Sequence, residues 1–403
     1  MTRPLYLAVL ALGLAPPLGA QAVAVTGEVR HRTELDGREV VGVEPAAAYH
    51  LLRTRLGVVA RPAPRVRVVV QVQDARFWGG ENPALGLGTL DGDADQFDLH
   101  QGYFELDSLA GQALALRVGR QELVYGNERL VGALGWANVG RAFDAARLRW
   151  GRGPLSVDVF AAQLVTAVGE ADPQALAGAF ATLAGARGAV EAFAFVDADA
   201  ADVEEGPDAG ERLRERATVG ARFVGAVGPV GVDAELVGQV GAAANAPGAP
   251  RDDVRAWLGS VEAGVPVGPA RLAAGATRLS GDGDPADGVD RRFDTLFATN
   301  HKFYGAMDYF PRLAGPAGLD DLYVTASGRA GTRWTLRAAA HAFWSAADPG
   351  GGRALGQELD LGARYAFASV ADIEAGASAF RATDRLAADG TTAWAYLMAS
   401  VGF

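Results

Sequence analysis

The 403-residue sequence predicts an all-β fold, a transmembrane antiparallel β-barrel of about 18 strands. Three observations lead there. Segments of about 10–13 residues alternate apolar and polar side chains, the period of a strand. Their connections alternate between tight turns and long polar loops, as in barrels with periplasmic turns and extracellular loops. Past residue 22 there is no run of about 18–20 apolar residues, so no transmembrane helix is available, although 49% of the chain is hydrophobic.

Residues 1–22 read as a secretory signal peptide, leaving residues 23–403 as one barrel domain. Arg3 supplies a positive start, residues 5–14 are apolar, Pro16 and Pro17 break the stretch, and Ala20-Gln21-Ala22 is an A-x-A cleavage site. The alternative is a buried N-terminal helix. The chain has no cysteine. That excludes a lipoprotein anchor, a disulfide scaffold, a thiolate zinc site and a cysteine nucleophile. A net charge of −11 argues against nucleic-acid binding, which needs a basic face.

Taken in order, the strands are expected to start near Val23, Tyr49, Arg65, Phe97, Gln112, Arg141, Pro154, Gln174 and Ala189. The second half follows at Arg214, Val230, Val254, Ala270, Asp320, Thr332, Gln357, Ala371 and Thr391. Residues 65–76 alternate most clearly: Val66, Val68, Val70 and Val72 oppose Arg65, Arg67, Gln71 and Gln73. Residues 332–345 and 357–368 repeat the pattern with aromatic, aliphatic and charged residues. The weakest segment, 174–185, is mostly Ala and Gly; without it and a partner the count falls to about 16. Short turns fall at 61–64, 109–111, 152–153, 186–188, 226–229, 268–269, 328–331 and 369–370. Long loops fall at 37–48, 77–96, 122–140, 197–213, 241–253, 281–319 and 346–356. The last strand places Leu397, Ala399, Val401 and terminal Phe403 on one face, resembling the signal by which barrel-assembly machinery recognises its clients. A soluble sandwich or propeller is the competing architecture. It fits less well, because soluble strands average about 5–6 residues and no repeat of about 40–50 residues occurs.

Residues 117–150, RVGRQELVYGNERLVGALGWANVGRAFDAARLRW, and 281–309, GDGDPADGVDRRFDTLFATNHKFYGAMDY, resemble the alginate-export family of outer-membrane barrels. The G-R-Q-E-L, Y-G-x-E-R-L, W-x-N-x-G-R, F-D-x-x-R-L-R and F-D-x-L-F-x-T-x-H-K-x-Y-G patterns carry the resemblance. It implies a monomeric barrel in outer-membrane lipid, in a Gram-negative-type bacterium, with a polar lumen. It also implies passage of an anionic polysaccharide, or another small anionic or carbohydrate solute, through an arginine-lined constriction. Guanidinium pairs with carboxylate in a planar two-bond geometry. A non-selective diffusion porin is the first alternative; a barrel enzyme or surface adhesion barrel is the second, and neither G-x-S-x-G nor H-E-x-x-H supports catalysis.

Parity on each strand nominates the lumen wall. Arg53, Arg55, Arg67, Arg117, Arg147 and Arg149 face inward, as do Arg333, Arg337 and Arg364, with Glu28, Arg30, Arg32, Glu34, Glu105, Arg216, Arg222, Asp233, Glu235, Glu262, Glu358 and Asp360. Arg53, Arg67, Arg117, Arg147 and Arg149 are the expected constriction. The competing role is a cross-strand ladder with carboxylates. Arg120, Glu122, Glu128, Arg129 and Arg141 lie in or beside the first motif, whose loop either folds into the pore mouth or projects outward. Asp282, Asp284, Asp287 and Asp290 could hold Ca²⁺ in a long loop, although the EF-hand spacing is not met; a solvated acidic loop is the competing reading. No other cofactor is expected. Trp150, Trp257, Trp334, Trp344, Tyr365 and Trp394 fit interfacial girdles. Loop 281–319 is the expected plug.

Overall fold

The computed structural model describes residues 22–38, 48–77, 97–164, 175–200, 212–244, 249–348, 350, 352–386 and 390–403. The signal-peptide reading up to residue 21 lies outside them, as do parts of several long loops.

Eighteen antiparallel strands close one barrel. They are β1 (Ala22–Asp36), β2 (Tyr49–Ala63), β3 (Val66–Phe77), β4 (Phe97–Leu106), β5 (Leu114–Gln121), β6 (Phe143–Arg152), β7 (Leu155–Leu164), β8 (Ala175–Gly185) and β9 (Gly188–Ala200). Then come β10 (Arg212–Val227), β11 (Val230–Ala243), β12 (Asp252–Val267), β13 (Ala270–Leu279), β15 (Leu319–Ala330), β16 (Trp334–Trp344), β17 (Ala354–Ala368), β18 (Ala371–Ala382) and β19 (Thr391–Gly402). The two-residue β14 (Val289–Asp290) lies in a loop and pairs in parallel with β12. Each barrel strand pairs with its neighbour in the chain, and β1 pairs with β19 from Glu28↔Gly402 to Asp36↔Trp394. Closure leaves no sheet edge, which is what a backbone in hydrocarbon requires.

Each strand starts within three residues of its expected position. The Ala-rich segment is a full strand, paired on both sides with β7 and β9. Several expected loops are shorter than alternation suggested. Residues 197–200 and 212–213 belong to β9 and β10, and 241–243 with 252–253 to β11 and β12. The ladders run on past the apolar band because paired backbone groups need no apolar side chain.

Burial is inverted relative to a soluble protein. Leu236, Val240, Val324 and Leu397 are exposed on the outer face. Arg30, Arg32, Glu34, Arg53, Asp197, Arg216 and Glu358 are buried on the inner face. The apolar core is also inside, where Leu123, Tyr125, Val131, Phe297, Tyr304 and Met307 meet inward wall residues such as Phe143, Phe160, Phe195 and Leu258. Trp394 is the one girdle residue placed differently: it is 2% exposed and donates from Nε1 to Glu34 (2.8 Å) inside the lumen.

Candidate pore and its plug

Two loops fill the loop-side half of the lumen: residues 122–142 between β5 and β6, and residues 280–318 between β13 and β15. Their apolar side chains drive them inward. Tyr125 stacks on Phe160 (5.0 Å) and Phe180 (5.1 Å), and Phe297 meets Phe143 edge-on at 5.7 Å. Left in water, these residues would lose about 25 cal/mol for each Å² of apolar surface. The loops also bind each other. Gly132 donates its N–H to the Phe297 carbonyl (2.9 Å), Phe297 to that of Leu130 (2.8 Å), and Thr299 to that of Glu128 (2.9 Å). The Glu128 carboxylate accepts from Thr299 Oγ1 (2.6 Å) and pairs with Lys302, the only lysine. Gly305 takes φ +83°, and any Cβ there would lie 2.6 Å from the Glu358 carboxyl carbon. Glycine is therefore required where the loop crosses that wall residue.

Carbonyls drawn into a protein interior need donors. Arginine brings five N–H groups and no acceptor, so it suits this task. Arg30 donates to the carbonyls of Gly135 (2.7 Å) and Ala137 (2.8 Å). Arg32 donates to that of Trp136 (2.7 Å) and lies over the indole ring. Arg53 holds Glu28 (2.7 Å) and the Ala137 carbonyl (3.1 Å). Arg55 reaches Gln73 (2.7 Å), Glu122 (3.4 Å) and the Val139 carbonyl (3.2 Å). On the opposite side Glu358 accepts the Met307 N–H (2.8 Å), and Arg216 pairs with Asp294 (2.9 Å).

Among the nominated arginines, then, Arg53 and Arg55 anchor the plug rather than line open water. Arg129 and Arg141 are inside the plug. Arg129 pairs with Glu235 (3.0 Å). Burial alone would lower the pKa of Arg129, but Tyr304 and Glu235 more than reverse it. Arg141 donates to the carbonyls of Phe297, Ala298 and Gly132. Burial lowers its pKa to about 10, with Glu128 opposing.

Two nominations are corrected. Arg120 lies on the outer face, paired with Asp144 (3.0 Å) and Asp98 (3.6 Å), because it is an odd number of residues from Arg117. Arg333 is in the turn before β16, where it donates to Tyr365 Oη (3.0 Å) on the outer face.

The remaining nominated arginines line the turn-side half of the lumen. Arg117 and Arg67 share Glu105, at 2.5 and 3.9 Å, and Arg117 also lies 4.3 Å from the Tyr103 ring. Arg149 and Arg147 share Asp158, at 2.7 and 3.6 Å. Across the barrel the balance differs: Arg222 faces both Glu191 (2.7 Å) and Asp233 (2.6 Å). Arg337 pairs with Glu374 (2.6 Å) and Arg364 with Asp372 (2.8 Å). On the turn side, the wall from β3 to β7 thus holds two guanidiniums per carboxylate and the β9–β11 wall the reverse, while at the loop end of β9 and β10 Arg214 and Arg216 share Asp197 (2.8 and 3.0 Å).

Asp282, Asp284, Asp287 and Asp290 do not converge. Asp287 and Asp290 pair with Arg291 (2.8 Å) and Arg292 (2.7 Å), while Asp282 and Asp284 accept N–H groups of their own loop. Among the described residues no three Asp, Glu or His side chains form a metal-holding group.

Two inward charged or titratable residues were not among those nominated. His100 is inward and buried, bound to Glu122 (2.8 Å). A β-bulge puts it there, since Gln71 pairs with Gln101 and Val72 with Leu99. Asp158 was legible, because Val157 and Val159 flank it on an alternating strand.

A family model described as alginate export matches residues 22–400. No curated protein matches the sequence. Among solved structures, the chain is similar to a BenF-like porin from Pseudomonas fluorescens Pf-5. The TM-score is 0.64 at 11% identity, covering 94% of this chain and 98% of that one. Acinetobacter baumannii OccAB4 gives 0.62 at 9%, with 96% and 98% covered. Pseudomonas aeruginosa OpdK, solved with vanillate, gives 0.61 at 11%, with 94% and 98% covered. At these identities the likeness speaks for the fold.

Proposed function

The chain belongs to the alginate-export family and is an outer-membrane channel; on that premise we propose that its solute is an anionic, carboxylate-bearing polysaccharide. The observation that supports this is the β3–β7 wall, where Arg67 and Arg117 share Glu105 and Arg147 and Arg149 share Asp158. One carboxylate cannot saturate two guanidinium forks, so donors remain for a passing carboxylate. The resident carboxylate competes for the same forks and keeps each contact weak enough to release. Successive uronate groups of a polymer would then exchange along the strip.

Reversal potentials in planar bilayers test this. The native protein is expected to prefer chloride over potassium, and Arg67→Ala with Arg149→Ala is expected to bring the ratio to about one or below. Equal permeabilities in the native protein, or a ratio unmoved by the double variant, would remove the arginine strip from the mechanism. A second reading, a small organic anion, is favoured by the extent of loop packing in the lumen and by the likeness to a porin solved with vanillate. Liposome flux of uronate monomers against oligomers separates the two.

A further inference from the structure

The outer face carries a cationic site at the loop end of β13, β15 and β16. Arg278, Asp320 and Trp344 lie opposite one another across these strands. Asp320 Oδ2 is shared by Arg278 Nη1 (3.3 Å) and Arg353 Nη2 (2.5 Å). Among the described residues it is the only carboxylate within ion-pair reach of either. Backbone contacts fix both guanidiniums: Arg278 donates to the Ala346 carbonyl (2.8 Å) and Arg353 to that of Ser345 (2.7 Å). Two cations on one anion leave a positive charge in excess. Among the described residues, the other outward arginines near the loop end that form ion pairs each have at least one carboxylate: Arg76 with Asp74, Arg255 with Asp253, Arg251 with Glu215, and Arg120 with Asp98 and Asp144.

The surroundings suit a lipid rather than a soluble ion. Trp257 lies 5.8 Å from the Arg278 guanidinium and is 44% exposed, so the row is at interface depth. Just below it, Gly259 and Ala276 leave the wall thin beside Leu322. A cavity of about 740 Å³ there is lined by these three, Val261, Trp344, Asp320 and both arginines, with Ser260, Thr277, Asp321 and Glu235 completing its wall. It offers two guanidiniums at its top and, on the lipid-facing side, the exposed apolar side chains of Val261 and Leu322.

We propose that this groove binds a phosphorylated glycolipid of the outer leaflet, its phosphate on Arg278 and Arg353 and an acyl chain on the small-residue floor. Guanidinium meets phosphate in the same two-bond geometry it uses for carboxylate. Basic pockets on membrane proteins take anionic lipid head groups by this chemistry.

The test uses the protein refolded in zwitterionic detergent and native mass spectrometry with diphosphorylated lipid A, its dephosphorylated form, and inorganic phosphate as competitor. The diphosphorylated lipid is expected to bind preferentially. Arg278→Gln with Arg353→Gln is expected to weaken it by about tenfold or more, and Arg255→Gln to leave it unchanged. Should the double variant not refold, Arg353→Gln alone is read the same way. Equal binding of the dephosphorylated lipid, or binding unmoved by these variants, overturns the proposal. Displacement by inorganic phosphate at equal concentration overturns the lipid assignment in favour of the free ion.

Discussion

Glu122, the first residue after β5, ties the plug to the wall through His100 (2.8 Å) and Arg55 (3.4 Å). Burial would raise its carboxyl pKa, but the bond with His100 and the charges of Arg55 and Arg53 outweigh burial, and the pKa lies below its ordinary 4.5. The sign follows. A carboxyl whose pKa is lower in the folded state contributes stability above the unfolded value, and loses it as pH falls through the folded value. Acidification below about 4.5 should therefore release this anchor and raise conductance, whereas Glu122→Gln should make conductance flat over that range. Single-channel recording from about pH 6 to about pH 3 checks it; equal pH dependence in both proteins would refute the anchor. Glu122 also marks the reach of sequence reading at this scale. Its place beside a loop was legible, but its partner was not: His100 faces inward only because a bulge shifts the phase of β4. Arg120 shows the converse, since parity with Arg117 was readable and puts it outside.

The two plug loops are the elements that decide the pore. Their length and polarity were legible, and loop 281–319 was the expected plug. What the sequence could not show is that residues 122–142 would cross the lumen to form a bridge between Val131 and Phe297, 166 positions apart. That contact depends on Tyr125, Phe160 and Phe195 meeting from three elements distant in the chain. It also explains why Arg53 and Arg55 are not free constriction residues: the loop carbonyls took their donors. Replacing residues 300–309 with a Gly/Ser linker should remove the Tyr304, Met307 and Tyr309 contacts and raise single-channel conductance severalfold. Strand content by circular dichroism should stay unchanged, since all barrel ladders lie outside the replaced segment. Unchanged conductance would show that the plug does not limit flow.

For the whole molecule, closure rests on β1 meeting β19, with Phe403 exposed on the outer face and exchanging two backbone hydrogen bonds with Gly27 at the end of the ladder (2.9 and 3.0 Å). Deleting Phe403 is expected to lower the amount reaching the outer membrane in cells. The same variant should refold in detergent to a barrel of native gel mobility, because the pairs from Glu28↔Gly402 to Asp36↔Trp394 are retained. Equal cellular levels would detach this residue from assembly. Alternation pointed to about 18 strands, to starts within three residues and to most of the lipid-facing side, since the two-residue period is local and each strand carries it independently. The net charge of −11 was equally legible yet says little about the lumen, whose turn-side half the fold divides into an arginine-rich wall and an acid-rich one. Only the tertiary structure decided which arginines face water and which hold the plug. The reason is physical: a guanidinium's role depends on the carbonyl or carboxylate brought to it, and those partners come from loops more than 80 residues away.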